Sequence, residues 1–321
     1  MDRTSKIFVA GHRGLVGSAL ARRLRADGYA EVLTRGREAL DLTDRAAVVR
    51  FFDGERPEYV FLAAAEVGGI VANDLHPADM IRDNLLIETN VIDAAWRFGA
   101  RKLLFLGSSC IYPKFADQPI REDSLMTGAL EPTNAAYAVA KIAGIALCQS
   151  YRRQHGFNAI AVMPTNLYGP NDNFDPLTSH VLPALIRKVH EAKLAGARSV
   201  TIWGSGTPRR EFLHVDDLAD ACLFLMNNYD SPEIINIGAG KDIAIAELAD
   251  LIGAVVGYAG GLSFDATKPD GTPRKLLDTS RLNALGWRPK IALRDGIAAT
   301  YLWYLDNRAG DRPAAPAAHV G

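Results

Sequence analysis

Tyr137 and Lys141 stand four apart in YAVAK. On a helix that spacing places both side chains on one face, reaching into the same space. A phenol ordinarily titrates near about 10, and a neighbouring ammonium favours its ionised form, so the pair could exchange a proton with a carbonyl or alcohol oxygen. A second stretch, LGSSCIYP at 106–113, carries Ser108 and, two places on, Cys110. With three cysteines in the chain, Cys110 is either a small buried hydrophobe or a thiol that does chemistry. Cys148 and Cys222 lie within apolar helical runs and read as core residues. His180 in TSHVLP, ahead of an apolar helical stretch, reads as a helix N-cap or a satisfied core histidine.

A nucleotide end is written near the N-terminus. AGHRGLVGSAL follows an apolar run and opens a helical pattern, with Gly11, Gly14 and Gly17 at a GxxGxxG spacing. Such glycines permit a tight turn and close backbone approach, and the helix N-terminus then points free N–H groups at a pyrophosphate. NAD-preferring domains carry an acidic residue about 20 residues past the glycines. Here TRGREALDL places Arg35 and Arg37 there, and Arg13 already sits in the loop. Guanidiniums at this strand tip suit a 2′-phosphate, so the expected cofactor is NADP(H). A nicotinamide would exchange hydride with a carbon while Tyr137 exchanges a proton with its oxygen.

These residues need a scaffold. In the first half compact apolar runs (KIFVAG, EVLTR, YVFLAAA, KLLFLGSS, NAIAVMP) alternate with helical patterns, which predicts an α/β fold with a doubly wound parallel sheet of Rossmann type. After NLYGP at 166–170 the pattern loosens into a smaller α/β substrate lobe. The expected division is an NADP-binding domain over 1–168 plus 211–240, a substrate lobe over 169–210 plus 241–308, and a frayed Ala/Pro/Gly-rich tail over 309–321. Apolar positions in AAYAVAKIAGIALCQS and NLLIETNVIDAAW exceed one sheet-facing stripe, so a second face is expected to be covered in a homodimer.

Composition narrows the partners. With 321 residues, 48% of them hydrophobic, the chain can bury a sizeable core. The net charge of −1, from 36 basic and 37 acidic residues, argues against nucleic acid or a membrane surface as main partner. Widely spaced, odd-numbered cysteines argue against a disulfide framework or a metal site and fit a reducing cytoplasm. No apolar run approaches a membrane span.

The glycine triplet, Ser108, and Tyr137 with Lys141 together resemble the extended short-chain dehydrogenase/reductases, whose nucleotide-sugar members use a Ser/Thr-Tyr-Lys triad. Over nearly the whole chain, AGHRG-VGSA, AAA-VGGI-AN, LGSSCIYPK, LEPTN--YA-AKIAGI, VMPTNLYGP-DNF, WGSGTP-REFLHVDD and KPDGTPRKLLD are similar to the GDP-L-fucose synthase branch of that family. The resemblance implies NADPH-dependent 3,5-epimerisation and 4-keto reduction of GDP-4-keto-6-deoxy-D-mannose. A 4-keto group acidifies the protons on C3 and C5, so both centres can invert through enols before C4 is reduced. By the same resemblance Ser108, Tyr137 and Lys141 form the triad, and Cys110 and His180 supply the acid and base of inversion.

It also implies which residues hold the ligands. The cofactor falls to Gly11, His12, Arg13, Gly14, Leu15, Val16 and Gly17 of the glycine loop. Arg37, Asp41 and Leu42 serve it beyond the second strand, and Leu106, Gly107 and Ser108 at the fourth. Lys141, Pro164, Asn166, Leu167 and His180 complete that set. For GDP-sugar it implies Lys188, Trp203, Arg210 and Asp270, with the basic pair meeting phosphates. Read without it, Lys188 is a solvated helix face, Trp203 lobe packing, Arg210 an ion-pair partner of Glu211 or Asp216, and Asp270 a turn residue. YAGGL at 258–262 departs from the family, which leads one to expect a basic residue near Gly261. A 4,6-dehydratase would carry an acidic pair where Cys110 and Ile111 stand; a 4-epimerase would keep NAD and usually the acidic residue; a non-catalytic NADP-binding regulator would show a broken triad.

Overall fold

The computed structural model describes residues 1–68, 73, 75–175, 178–268 and 270–307; the expected tail and part of the VGGI stretch lie outside them. The first half runs β1 (Lys6–Ala10), α1 (Leu15–Ala26), β2 (Glu31–Leu33), α2 (Arg45–Glu55), β3 (Tyr59–Leu62), α3 (Pro77–Arg97), β4 (Lys102–Leu106), α4 (Ala135–His155) and β5 (Ala159–Pro164). After these come β6 (Asn166–Tyr168), α5 (Val181–Leu194), β7 (Ser199–Trp203), β8 (Arg209–His214), α6 (Val215–Asn228) and β9 (Ile235–Ile237). The chain continues through β10 (Asp242–Ala244), α7 (Ile245–Val256), β11 (Gly261–Asp265), β12 (Arg274–Lys275), α8 (Ser280–Ala284) and α9 (Leu293–Asn307).

The main sheet has the order β2-β1-β3-β4-β5-β9, with every neighbouring pair parallel. Every residue of β4 and β5 is buried, as strands covered on both faces must be. One face packs against α2, α3 and α4, through residues such as Phe52, Ile92 and Ile145. The other packs against α1 and α6, through Leu20, Leu24, Leu218 and Cys222. This is the doubly wound arrangement, and the strand order reverses between β1 and β3. Ligand crevices of such sheets open at the strands' carboxyl ends beside that reversal.

The second lobe is built around β8, which pairs with β6 and β12 in parallel and with β10 antiparallel; β7 and β11 form a separate parallel pair. Its core gathers α5, α7 and α9 through Leu182, Ile186, Leu248, Ile252 and Ile297. Residues 209–214 therefore lie in the small sheet, and the chain rejoins the main layer through α6 and β9. Buried polar groups tie the two together. The fully buried Glu211 carboxylate accepts from the Gly240 and Leu277 N–H groups at 2.7 and 3.1 Å. Asn236 on β9 donates to the Ile120 and Asp278 carbonyls and accepts from the Tyr112 hydroxyl at 2.6 Å. These bonds fix the 274–278 segment against the sheet edge.

The turn from β1 into α1 shows why two of its glycines are required. Gly11 has φ +85°, and a Cβ on it would lie 2.7 Å from the Ala64 backbone. A Cβ on Gly17 would lie 2.1 Å from the Gly11 carbonyl oxygen, so α1 rests directly on the turn. A Cβ on Gly14 would meet only the Gly11 oxygen, at an ordinary 3.5 Å. Urea unfolding should therefore find Gly17→Ala less stable by about 3 kcal/mol, the cost of overpacking against backbone. Gly14→Ala should lose less than about 1 kcal/mol, and equal losses in the two variants would contradict this account of the turn.

Candidate active site

The glycine loop, the Ser108 turn and the residues from Pro164 to Leu167 converge at the carboxyl edge of the main sheet because each lies at or just after a strand end. Gly11 follows β1; Leu106 closes β4 and Gly107 to Cys110 follow it; Pro164 closes β5, with Asn166 and Leu167 in β6. Gly14 is the N-cap of α1 and brings no side-chain cap, and the first turn has no acidic residue. With His12, Arg13, Leu15 and Val16 around it, that helix end offers bare backbone N–H groups to an anion. The glycine-lined approach therefore fits a pyrophosphate.

The three arginines at the β2 tip are not equivalent. Arg13 makes a two-pronged pair with Glu38, at 2.8 and 2.5 Å, and Arg35 binds Glu55 at 2.6 Å. Glu38, which lies within TRGREALDL itself, and Glu55 on α2 thus engage two of the three guanidiniums. Arg37 is exposed. Asp41 accepts from the Thr43 N–H and hydroxyl; burial pushes its pKa up, but these bonds and Arg37 outweigh that and hold it low. Leu42 gives its carbonyl to Asn90 on α3.

Ser108 caps the short 3₁₀ turn Ser109–Ile111, its hydroxyl accepting from the Cys110 N–H at 3.1 Å. That turn delivers Ser108 and Cys110 beside Tyr137 on α4. Burial, and then the charges of Cys110 and Glu88, push the Tyr137 phenol well above its ordinary value, while a hydrogen bond with Ser108 works against them. The expected lowering by Lys141 is not what the geometry gives. The ammonium lies 5.8 Å from the Tyr137 ring centre and is paired with Glu88 of α3 at 2.9 Å. Its charge is already answered, and Tyr137 rests as a protonated donor.

His180 takes the N-cap position of α5, with φ −75° and ψ 168°, yet its side chain makes no capping hydrogen bond. It retains an exposed surface while burial, then the nearby Lys275 charge, lowers its pKa, as expected of a ring inside a cleft. Lys275 also donates to the Cys110 sulfur at 3.5 Å. One ammonium from β12 thus stands near both Cys110 and His180. Three groups able to carry protons or charge meet beside the Ser108–Tyr137 pair.

Toward the small lobe, Trp203 is 62% exposed at the end of β7, with Lys268 Nζ 5.5 Å from its ring centre. An indole so open is not packed into the lobe, and its face is free to stack. Arg210 on β8 forms no ion pair with Glu211 or Asp216 among the described residues; its Nη1 donates to the Arg209 carbonyl, and burial lowers its pKa against the opposing charge of Asp270. Asp270 accepts from the Ser205 N–H and hydroxyl at 2.7 and 2.8 Å, clamping the turn after Trp203. Lys188 is exposed on α5. Gly261 pairs with Ser199, at the far end of β7 from Trp203, so the departure there leaves the Trp203 end untouched.

Two residues at the site escaped the sequence reading. Lys275 stands in KPDGTPRKLLD, a stretch valued only for Asp270, and nothing in its spacing joins it to Cys110. Glu88 had a legible signal: it is a charge on the buried face of α3, aligned with Asn84, Val91 and Ile92.

Comparison with known proteins places this geometry. Residues 7–238 match the NAD dependent epimerase/dehydratase family. The chain is 61% identical over 306 residues to GDP-L-fucose synthase 1 of Arabidopsis thaliana, covering 95% of each. It is 55% identical over 312 residues to the GDP-L-fucose synthase of Escherichia coli, covering 94% of this chain and 97% of the relative. Among solved structures, a GDP-6-OMe-4-keto-L-xylo-heptose reductase from C. jejuni superposes with a TM-score of 0.91 at 40% identity, over 96% of this chain and 99% of that one. A GDP-L-fucose synthetase from Naegleria fowleri bound to NADP gives 0.90 at 29% identity over 98% of both chains. A family match across most of the chain, and relatives this similar along nearly its full length, lead to one conclusion: this chain belongs to the NAD dependent epimerase/dehydratase family.

Proposed function

We propose that this chain is an NADPH-dependent epimerase-reductase that converts GDP-4-keto-6-deoxy-D-mannose into GDP-L-fucose. The observation that carries the reading is the second set of proton-handling groups, Cys110 and His180 with Lys275 near both, beside Ser108, Tyr137 and Lys141. A C4 reductase needs only the latter three. Relatives with GDP-L-fucose synthase in their names support the substrate, and the NADP-bound neighbour supports the cofactor. The uncapped N-terminus of α1 would hold the pyrophosphate, Arg37 the 2′-phosphate, and Leu106, Gly107, Pro164 and Leu167 the nicotinamide end. When bound, the reduced nicotinamide supplies the hydride.

The residues divide the work by position. Ser108 holds the sugar carbonyl oxygen, and this polarisation acidifies the C3 and C5 protons. Cys110 and His180 remove and return protons at those carbons. Tyr137 then gives its phenolic proton to O4. Trp203 stacks the guanine base, and Arg210 and Lys188 meet the diphosphate. In this reading 1–168 plus 211–240 serve the cofactor and 169–210 plus 241–308 the sugar nucleotide. Leu86 on α3 and Val139 on α4, 40% and 44% exposed, support a homodimer through these helices, and three free thiols support a cytoplasmic setting. No helix among the described residues is long and apolar enough to cross a membrane. Sedimentation at the 34.8 kDa of one chain would overturn the dimer.

Purified protein given GDP-4-keto-6-deoxy-D-mannose should oxidise NADPH and yield GDP-L-fucose; an unchanged absorbance would contradict the proposal. In deuterated water Cys110→Ser should slow exchange at C3 and C5 by about 100-fold or more. Undiminished exchange would remove Cys110 from the inversion chemistry. Lys275→Met should raise the His180 pKa, because a repelling cation has gone. The imidazolium then forms at higher pH, readable as an upward shift of the His180 ring resonances' titration; an unmoved curve would contradict the electrostatic link.

A further inference from the structure

Glu88 is fully buried, and its partner Lys141 is 2% exposed. Their 2.9 Å contact joins α3 to α4, and the second carboxylate oxygen has no hydrogen-bond partner among the described residues. The packing is built around this contact. A Cβ on Gly144, one turn beyond Lys141, would lie 2.7 Å from the Glu88 Oε2 and 2.3 Å from the Phe105 ring. Lys141 Nζ sits 4.7 Å from the centre of that ring. A buried pair is weak support for stability, since its members must leave water. Its location beside the proton donor gives it another purpose.

The charges around Glu88 define that purpose. Burial raises its pKa and Lys141 opposes this. Tyr137, Lys141 and Cys148 face it from α4; Ser108 and Cys110 reach Tyr137 from the turn after β4. Glu88 therefore engages the cation that α4 itself places near the phenol, while Lys275 of β12 stands across the cleft at Cys110, and it adds a negative charge of its own. Both effects keep the proton on Tyr137.

We propose that Glu88 is a positioning residue for the reduction step, holding the Lys141 ammonium in place so that Tyr137 meets the sugar carbonyl as a protonated donor. This rests on the proposed epimerase-reductase function. In the step it serves, O4 takes the proton from the Tyr137 O–H, C4 takes hydride from NADPH, and the C4=O π bond becomes an alcohol. Tyr137 is left as phenolate and recovers its proton from solvent. Cys110 and His180, which act at C3 and C5, have no direct need of the pair.

The test compares wild type, Glu88→Gln and Glu88→Asp. Reduction is followed by NADPH absorbance across pH, and inversion by deuterium uptake at C3 and C5 with NADP⁺ replacing NADPH. Glu88→Gln should lower kcat for reduction by about tenfold or more and move the basic limb of its pH profile downward. That sign follows from removing a negative charge and freeing a cation, since each favours phenolate. Deuterium uptake should stay near wild type, and Glu88→Asp should recover most of the reduction rate. Wild-type kcat and basic limb in Glu88→Gln would overturn the proposal, as would parallel loss of reduction and uptake, the mark of a purely structural role. Wild-type protein inactive on the GDP-sugar would instead overturn the function on which it rests.

Discussion

The ion pair between Lys141 and Glu88 is the interaction on which the arrangement of the site depends. It fastens α3 to α4 at the level of the reacting groups, in a place where neither charge meets water. Gly144 and Phe105 are fitted to it, and Tyr137, one turn earlier on α4, takes its electrostatic setting from it. Removing either partner would leave an unanswered buried charge, typically worth about 3–5 kcal/mol. The pair thus acts on helix packing and on proton chemistry at once.

Around that fixed point the two lobes contribute different chemistry. The parallel sheet presents a cofactor edge, where α1 lies against its own turn and leaves its N-terminal amides bare. The small lobe contributes charge: β12 brings Lys275 to Cys110, β8 carries Arg210, and the turn after β7 is clamped by Asp270. Glu211 and Asn236 hold the lobes in register through bonds to backbone, which tolerate little sliding. A cation placed by one lobe can therefore act on a thiol placed by the other.

Much of this was legible in the sequence, and what was not has a physical cause. Strand runs, the glycine turn and the Tyr137–Lys141 spacing are local properties, and α4 (Ala135–His155) carries that pair within one helix. His180 does hold the N-cap position, though without capping, since helix ends are local while side-chain orientation is not. The charge balance was misread for the converse reason. Lys141 is answered by Glu88 and Arg13 by Glu38, partners brought together only by helix packing or the folding of a loop. The pairing of β8 is likewise not legible locally, because RREFLH carries no record of which neighbours it will meet.

The central claim is that one site inverts C3 and C5 and then reduces C4. The most direct measurement is a single-turnover reaction with NADPH in deuterated water, with the sugar product read by NMR. The account predicts GDP-L-fucose bearing solvent deuterium at both C3 and C5 for each NADPH consumed. A 4-reduced sugar with protium at both carbons would contradict it, and would leave a plain C4 reductase.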